Sequence, residues 1–166
     1  MNKTLRLIRH AKSSWQEPLL HDIDRPLKPK GVRRAQALAN RLGLLPDTHI
    51  FTSPARRARD TAHILHAQCQ VAQAIEEIPA LYTFDAVDLM DCLHLLPDQY
   101  NDVTIIGHNP AMTILVNHLS THQFDNIVTA GYVELNIRAE QWHTLAPGIA
   151  TLQHYILRPE KTDQNK

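Results

Sequence analysis

Cysteine is scarce in this 166-residue chain. The two it has, Cys69 and Cys92, stand in no C-x-x-C or other metal-ligand spacing. A cysteine-held metal is therefore excluded, and both residues are expected to be buried free thiols within helices. Net charge is absent as well: Lys plus Arg total 17 and Asp plus Glu total 17. A chain built to grip nucleic acid is usually basic overall or carries a basic stripe. Here Arg33-Arg34 and Arg56-Arg57 are only short pairs in helical patterns, so no nucleic-acid partner is expected. Any phosphate chemistry must come from a local cluster of cations. No apolar run approaches the length of a membrane span. The opening residues, Met1 to His10, lack a long apolar stretch and a small-residue cleavage site, so no signal peptide is expected. The expected location is the cytoplasm, without a membrane partner. Repeats and low-complexity segments are missing too.

What is present suits one compact domain. Hydrophobic residues make up 43% and charged residues 20%, the balance of an ordinary globular protein. The expected division is a single domain over residues 1–158 and a polar tail over 159–166, frayed at its end. Strands and helices alternate. Thr4-Leu5-Arg6-Leu7-Ile8 reads as a strand, followed by a charged, proline-containing loop over residues 11–30. Val32, Ala35, Leu38, Ala39 and Leu42 recur at helical spacing. His49-Ile50-Phe51-Thr52 reads as a second strand, and Ser53-Pro54 as the cap and first turn of a helix whose inner face is Ala58, Thr61, Ala62 and Leu65. A third strand is expected over residues 74–78. Asp85 then caps a helix with Ala86, Leu89, Met90, Leu93 and Leu96 facing inward. Val103-Thr104-Ile105-Ile106 is the continuous run of a buried parallel strand. Asn109-Pro110 again suits a cap and first turn, ahead of inward Ala111, Ile114, Leu115 and Leu119. Strands near residues 132–137 and 151–157 close the chain. The pattern predicts an α/β fold, a mainly parallel central sheet with helices on both faces.

Three polar clusters interrupt the pattern, each directly after a strand: Arg9-His10, Ser53 through Arg57, and Gly107-His108-Asn109. In open α/β sheets the carboxyl ends of the strands form the ligand crevice, and helix N-termini there favour anions. Taken singly, each residue has an ordinary reading. Arg9 is then a cation at a strand end, Arg57 a solvated helix charge, and His10 and His108 satisfied loop histidines. Taken together they assemble a phosphoryl site. Arg9 and Arg57 are permanently charged forks for phosphate oxygens. His10 supplies a nucleophile when one ring nitrogen is unprotonated, and His108 donates a hydrogen bond or balances charge. The remaining histidines share no motif. His63 and His66 lie three apart on a helix, a spacing open to a metal but ordinary for a solvated helix surface.

These residues resemble the histidine phosphatase superfamily, and within it the SixA-type phosphohistidine phosphatase branch. The resemblance rests on Leu7 to Trp15 around Arg9-His10, on Asp24-Arg25-Pro26-Leu27 with Gly31, on Thr52 to Ala62, on Pro79-Ala80-Leu81-Tyr82, and on Gly107-His108-Asn109-Pro110. It implies the phosphoglycerate mutase-like fold, His10 as the phospho-accepting nucleophile beside Arg9, Arg57 rather than Arg56 as the second phosphate clamp, and His108 as the later catalytic histidine. Ala11 stands where the superfamily's founding motif has Gly. Many relatives that cleave phosphate esters place a Glu after the third strand, and here Ala80 occupies that place. Glu77 and Asp85 lie near in sequence as candidate acids, though solvation or capping explains them equally well.

The expected activity is metal-independent phosphatase chemistry through phospho-His10, on phosphohistidine in a protein substrate. Arg9, Arg57 and His108 cradle the phosphoryl group, with backbone N–H groups near His10 and the Ser13 hydroxyl. No metal and no cofactor is expected. A positioned acid contributes about 100-fold or more to expulsion of an alcohol, whereas imidazole leaves more readily, so a site without one favours phosphohistidine. Two alternatives stand beside this reading. One is a broader phosphomonoesterase or mutase on small phosphorylated metabolites. The other is an inactive binder of phosphate or phosphoprotein. Trp15 is expected to pack the loop, with stacking on a substrate as the alternative, and Arg25 to hold the loop by local ion pairs, with a reach to phosphate as the alternative.

Overall fold

The structure, a computed structural model, describes residues 2–161; the last five positions of the expected tail lie outside the described residues. Six strands form one sheet in the order β3-β2-β4-β1-β5-β6. They are β1 (Lys3–Arg9), β2 (His49–Thr52), β3 (Glu76–Glu77), β4 (Asp102–Gly107), β5 (Tyr132–Ile137) and β6 (Ala150–Ile156). β3, β2, β4 and β1 run parallel, while β5 and β6 add antiparallel at the far side. The central strands β1 and β4 are buried on both faces, which is why Val103 to Ile106 form an unbroken run.

Alternation along the strands divides the core. Leu5, Leu7, Val103 and Ile105 pack under α3 (Ala86–His94) and α4 (Ala111–Leu119). Ile8, Ile50 and Ile106 point the other way, onto α1 (Pro29–Leu42) and α2 (Arg56–Gln68). Helices thus cover both faces. The register then sets the site: Arg9 lies beside Gly107, and Thr52 beside Ile106. The carboxyl ends of β1, β4 and β2 therefore bring His10, His108 and Ser53 into one crevice.

Several local expectations need correcting. The third strand shrinks from five residues to Glu76–Glu77, which pair with Phe51 and Thr52 at the end of the short β2. Ser53 does not cap α2. The helix begins at Arg56 after Ala55, and Ser53 Oγ instead accepts from Ala55 N and bonds His108. On α4, Ile114 faces outward and is half exposed. Asn109 does serve that helix, its Oδ1 accepting from Thr113 N and Thr113 Oγ1. Cys69 is buried, but Cys92 is only partly so, and both are free. The first residues of the tail are clasped rather than loose: Arg34 pairs with Glu160 at 3.1 Å, and Arg41 donates to the carbonyls of Arg158 and Lys161.

Asp85 caps α3 as expected, accepting from Val87 N and Asp88 N. Gly31, in the first turn of α1, is required by proximity. A Cβ there would stand 2.2 Å from the Lys12 carbonyl oxygen, so the glycine lets α1 press against the loop leaving His10. No helix among the described residues is long and apolar enough to cross a membrane.

Candidate active site

Arg9, His10, Arg57 and His108 converge in a bowl of about 440 Å³ at the carboxyl ends of the strands, and Ser13, Asp22 and Arg25 from the loop over residues 11–30 stand in its wall. The His10 and His108 rings stand 5.2 Å apart between centroids. Both are buried, with Arg57 2% exposed beside them.

His10 is held in one tautomer. Its Nδ1 lies 2.7 Å from the Ala11 carbonyl oxygen, which can only accept, so Nδ1 carries the proton. The lone pair is left on Nε2, which accepts from Arg57 Nε at 3.3 Å. Burial, together with the Arg57, Arg9 and Arg25 charges, pushes the His10 pKa down to about 4. Burial, then His10 and Arg57, push His108 down to about 3. Both rings are therefore neutral at neutral pH. His108 Nδ1 faces Arg57 Nη2 at 3.5 Å, and its Nε2 lies 2.7 Å from Ser53 Oγ. The serine that sequence patterning assigns to a helix cap orients this ring instead.

A consequence for pH follows from the sign of these shifts. A histidine whose folded pKa is lowered stays neutral until the pH drops through the lowered value. The His10 and His108 ring resonances are expected to stay flat in an NMR titration from about pH 8 to about pH 5, where an unperturbed histidine would titrate near 6.5. A midpoint near 6.5 for His10 would contradict the burial argument.

The arginines are engaged unequally. Arg57 donates from Nη1 to the Asp22 carbonyl oxygen at 2.6 Å and from Nη2 to Asp22 Oδ2 at 2.9 Å. Asp22 also accepts from Arg25 and from the Tyr82 hydroxyl. The hydrogen bonds from Tyr82, Arg25 and Arg57 outweigh its partial burial and hold the Asp22 carboxyl far below the usual carboxylate range. Arg9 donates from Nη1 to the Ile127 carbonyl at 3.1 Å, while its buried Nε has no hydrogen-bond partner among the described residues. Burial lowers the Arg9 pKa. Arg9 lines the cationic bowl, where a guanidinium suits an anion.

Of the sequence-predicted residues, Arg9, His10, Arg57 and His108 line one pocket. Ser13 joins them, its Oγ accepting from Arg25 Nη2 at 2.7 Å. The backbone donors expected near His10 are already used: His10 N donates to Gly107 O at 3.1 Å, and Ala11 N to Thr61 Oγ1 at 3.0 Å. The candidate acids stay outside the bowl. Asp85 caps α3, and Glu77 faces Arg59 at 3.6 Å on the protein surface. Among the described residues no group of three or more His, Cys, Asp or Glu is placed to hold a metal ion. His63 and His66 bond the carbonyls of Arg59 and Gln73 on the exposed side of α2.

Asp22 is a residue of the bowl that sequence reasoning missed. Its only local signal is the three-residue spacing to Arg25. Arg25 does hold the loop, through Ser13, Ser14 and Asp22. Trp15 does not pack inward: it is 73% exposed, and its ring lies against the Arg25 guanidinium.

Comparison with known proteins adds a family context. The model of the histidine phosphatase superfamily (branch 1) matches residues 5–92. An uncharacterised chloroplastic protein of Arabidopsis thaliana is 34% identical over 122 residues, 66% of this chain; the match spans 55% of that protein's length. Among solved structures, a SixA protein from Nakamurella multipartitia is 24% identical with a TM-score of 0.78, over 95% of this chain and 97% of that one. The protein histidine phosphatase SixA complexed with tungstate has the same fold at 19% identity, with a TM-score of 0.74, over 94% of this chain and 97% of that one.

Proposed function

We propose that this chain, which belongs to the histidine phosphatase superfamily, is a metal-independent phosphatase that removes the phosphoryl group from phosphohistidine in a protein substrate. One observation carries the reading: the Ala11 carbonyl fixes the His10 proton on Nδ1 and leaves the lone pair on Nε2, where Arg57 Nε meets it at 3.3 Å inside the cationic bowl and must yield it to the phosphoryl group. Arg9 and Arg57 neutralise the phosphoryl oxygens, while His108 and Ser13 line the same bowl. His10 Nε2 attacks phosphorus in line. The bond from phosphorus to the substrate's ring nitrogen breaks, and its electron pair stays with that nitrogen. A substrate ring already protonated on its other nitrogen leaves as neutral imidazole.

Phospho-His10 then keeps its Nδ1 proton on the Ala11 carbonyl. That holds the intermediate in its protonated, reactive form. Water attacks phosphorus, phosphate departs with the water's protons, and His10 returns to its neutral tautomer.

Selectivity follows from what the bowl lacks. Its wall carries one carboxylate, Asp22, which is committed to Arg57, Arg25 and Tyr82 and kept ionised. It has no proton to give an alkoxide. In the presence of chelator, phosphate release from a phosphohistidine protein is expected to exceed release from a phosphoserine peptide by about 100-fold or more. Equal or faster ester cleavage would sink the selectivity argument. Loss of all turnover in chelator would sink the metal-independent mechanism.

A further inference from the structure

The floor of the bowl is polar, but two aromatic rings stand in its wall. Trp15, on the loop after β1, is 73% exposed, and Phe84, just before α3, is 47% exposed. Single exposed apolar side chains are ordinary on a protein surface; these two are set apart because both line the bowl. Neither ring is loosely placed. The Arg25 guanidinium lies 3.2 Å from the Trp15 ring centroid. Arg25 is itself 7% exposed and tied to Ser14 O, Asp22 Oδ1 and Ser13 Oγ. The support is therefore rigid and the tryptophan is presented on it. Phe84 rests against the His108 ring at 5.2 Å and the Tyr82 ring at 5.7 Å.

The rings come from separate segments, so no single packing need explains both. In-line geometry adds the next step. With phosphorus held over His10 Nε2, the leaving group lies on the side away from His10, toward the open part of the bowl. The arginine-rich floor is the part that meets the phosphoryl oxygens. We propose that Trp15 and Phe84 form a leaving-group subsite that selects a planar, nitrogen-linked ring over a leaving group without one. This rests on the phosphohistidine reading above and deepens it, because it names the part of the substrate that is recognised. Flat rings find offset or edge-on partners there, and an imidazolium about to depart meets an aromatic face.

Two small phosphoramidates separate the inference from the reading it rests on. Phosphoimidazole and phosphoramidate both contain a phosphorus–nitrogen bond, but only the first has a ring. The ratio of kcat/KM for phosphoimidazole over phosphoramidate is measured in chelator for wild type, Trp15→Ala, Trp15→Phe and Phe84→Ala. In each alanine variant the ratio is expected to fall about 3- to 10-fold, with Trp15→Phe recovering most of it. A ratio unchanged from wild type in Trp15→Ala, whose ring is too exposed to endanger folding, would overturn the subsite even if phosphohistidine remained the substrate. Wild type that turned over neither phosphoramidate would overturn the phosphohistidine reading itself, and the subsite with it.

Discussion

Replacing His10 with alanine is expected to lower phosphohistidine turnover by about 10⁴-fold or more. In the proposed reaction His10 Nε2, whose lone pair is set by a fixed tautomer, attacks phosphorus, and the other groups act on the phosphoryl oxygens or on charge. The variant keeps the arginines and should still bind phosphate. Two measurements check this. Rapid-quench turnover reads the rate. Acid-labile, base-stable label on the protein, seen with wild type and absent from His10→Ala, reads the covalent intermediate. Label retained in the variant would move the nucleophile elsewhere. A modest loss of rate would mean that water attacks the substrate directly, with His10 only assisting.

The second large effect is expected at Arg57. Its guanidinium spans Asp22, His10 and His108 at once, using Nε, Nη1 and Nη2. A lysine ammonium is a point charge that cannot hold this fork. Arg57→Lys is therefore expected to lower kcat/KM by about 10²–10³-fold while the charge count stays the same. Asp22→Asn should cost less, because it loosens the fork without removing it. The double variant should lose less than the product of the two single losses, since both act through one contact. A loss of only a few-fold for Arg57→Lys would show that charge alone, not the oriented fork, serves the site.

Much of this was legible in the sequence, for a physical reason. β2 and β5 have the expected bounds, His49–Thr52 and Tyr132–Ile137. Their β-branched and aromatic residues stop at clear breaks. The Asp85 cap was legible because its partners are two and three residues away. His10 and His108 were legible as a pair because both follow buried strands.

What was not legible depends on distant partners. Ser53-Pro54 satisfies every local rule for a helix start, yet the serine bonds His108, 55 residues on, and the helix begins later. Asp22 looks like ordinary loop charge until Arg57 and Tyr82, 35 and 60 residues away, close on it. Trp15 breaks the expectation that a large apolar ring goes inside. The spacing of Ile114 suggested an inner face, but α4 turns it outward.

The inner position of β1 and β4 in the sheet has a further consequence. Each is flanked by strands on both sides, and His10 and His108 follow directly on these two strands. The reacting groups are thus anchored to the most protected part of the fold. Trp15 and Phe84 lie outside that frame, on connections between elements, where substitution disturbs little of the interior. Bond-breaking chemistry and choice of substrate are thus seated in parts of unequal permanence. A descendant of this protein could exchange the second by point changes while leaving the first untouched.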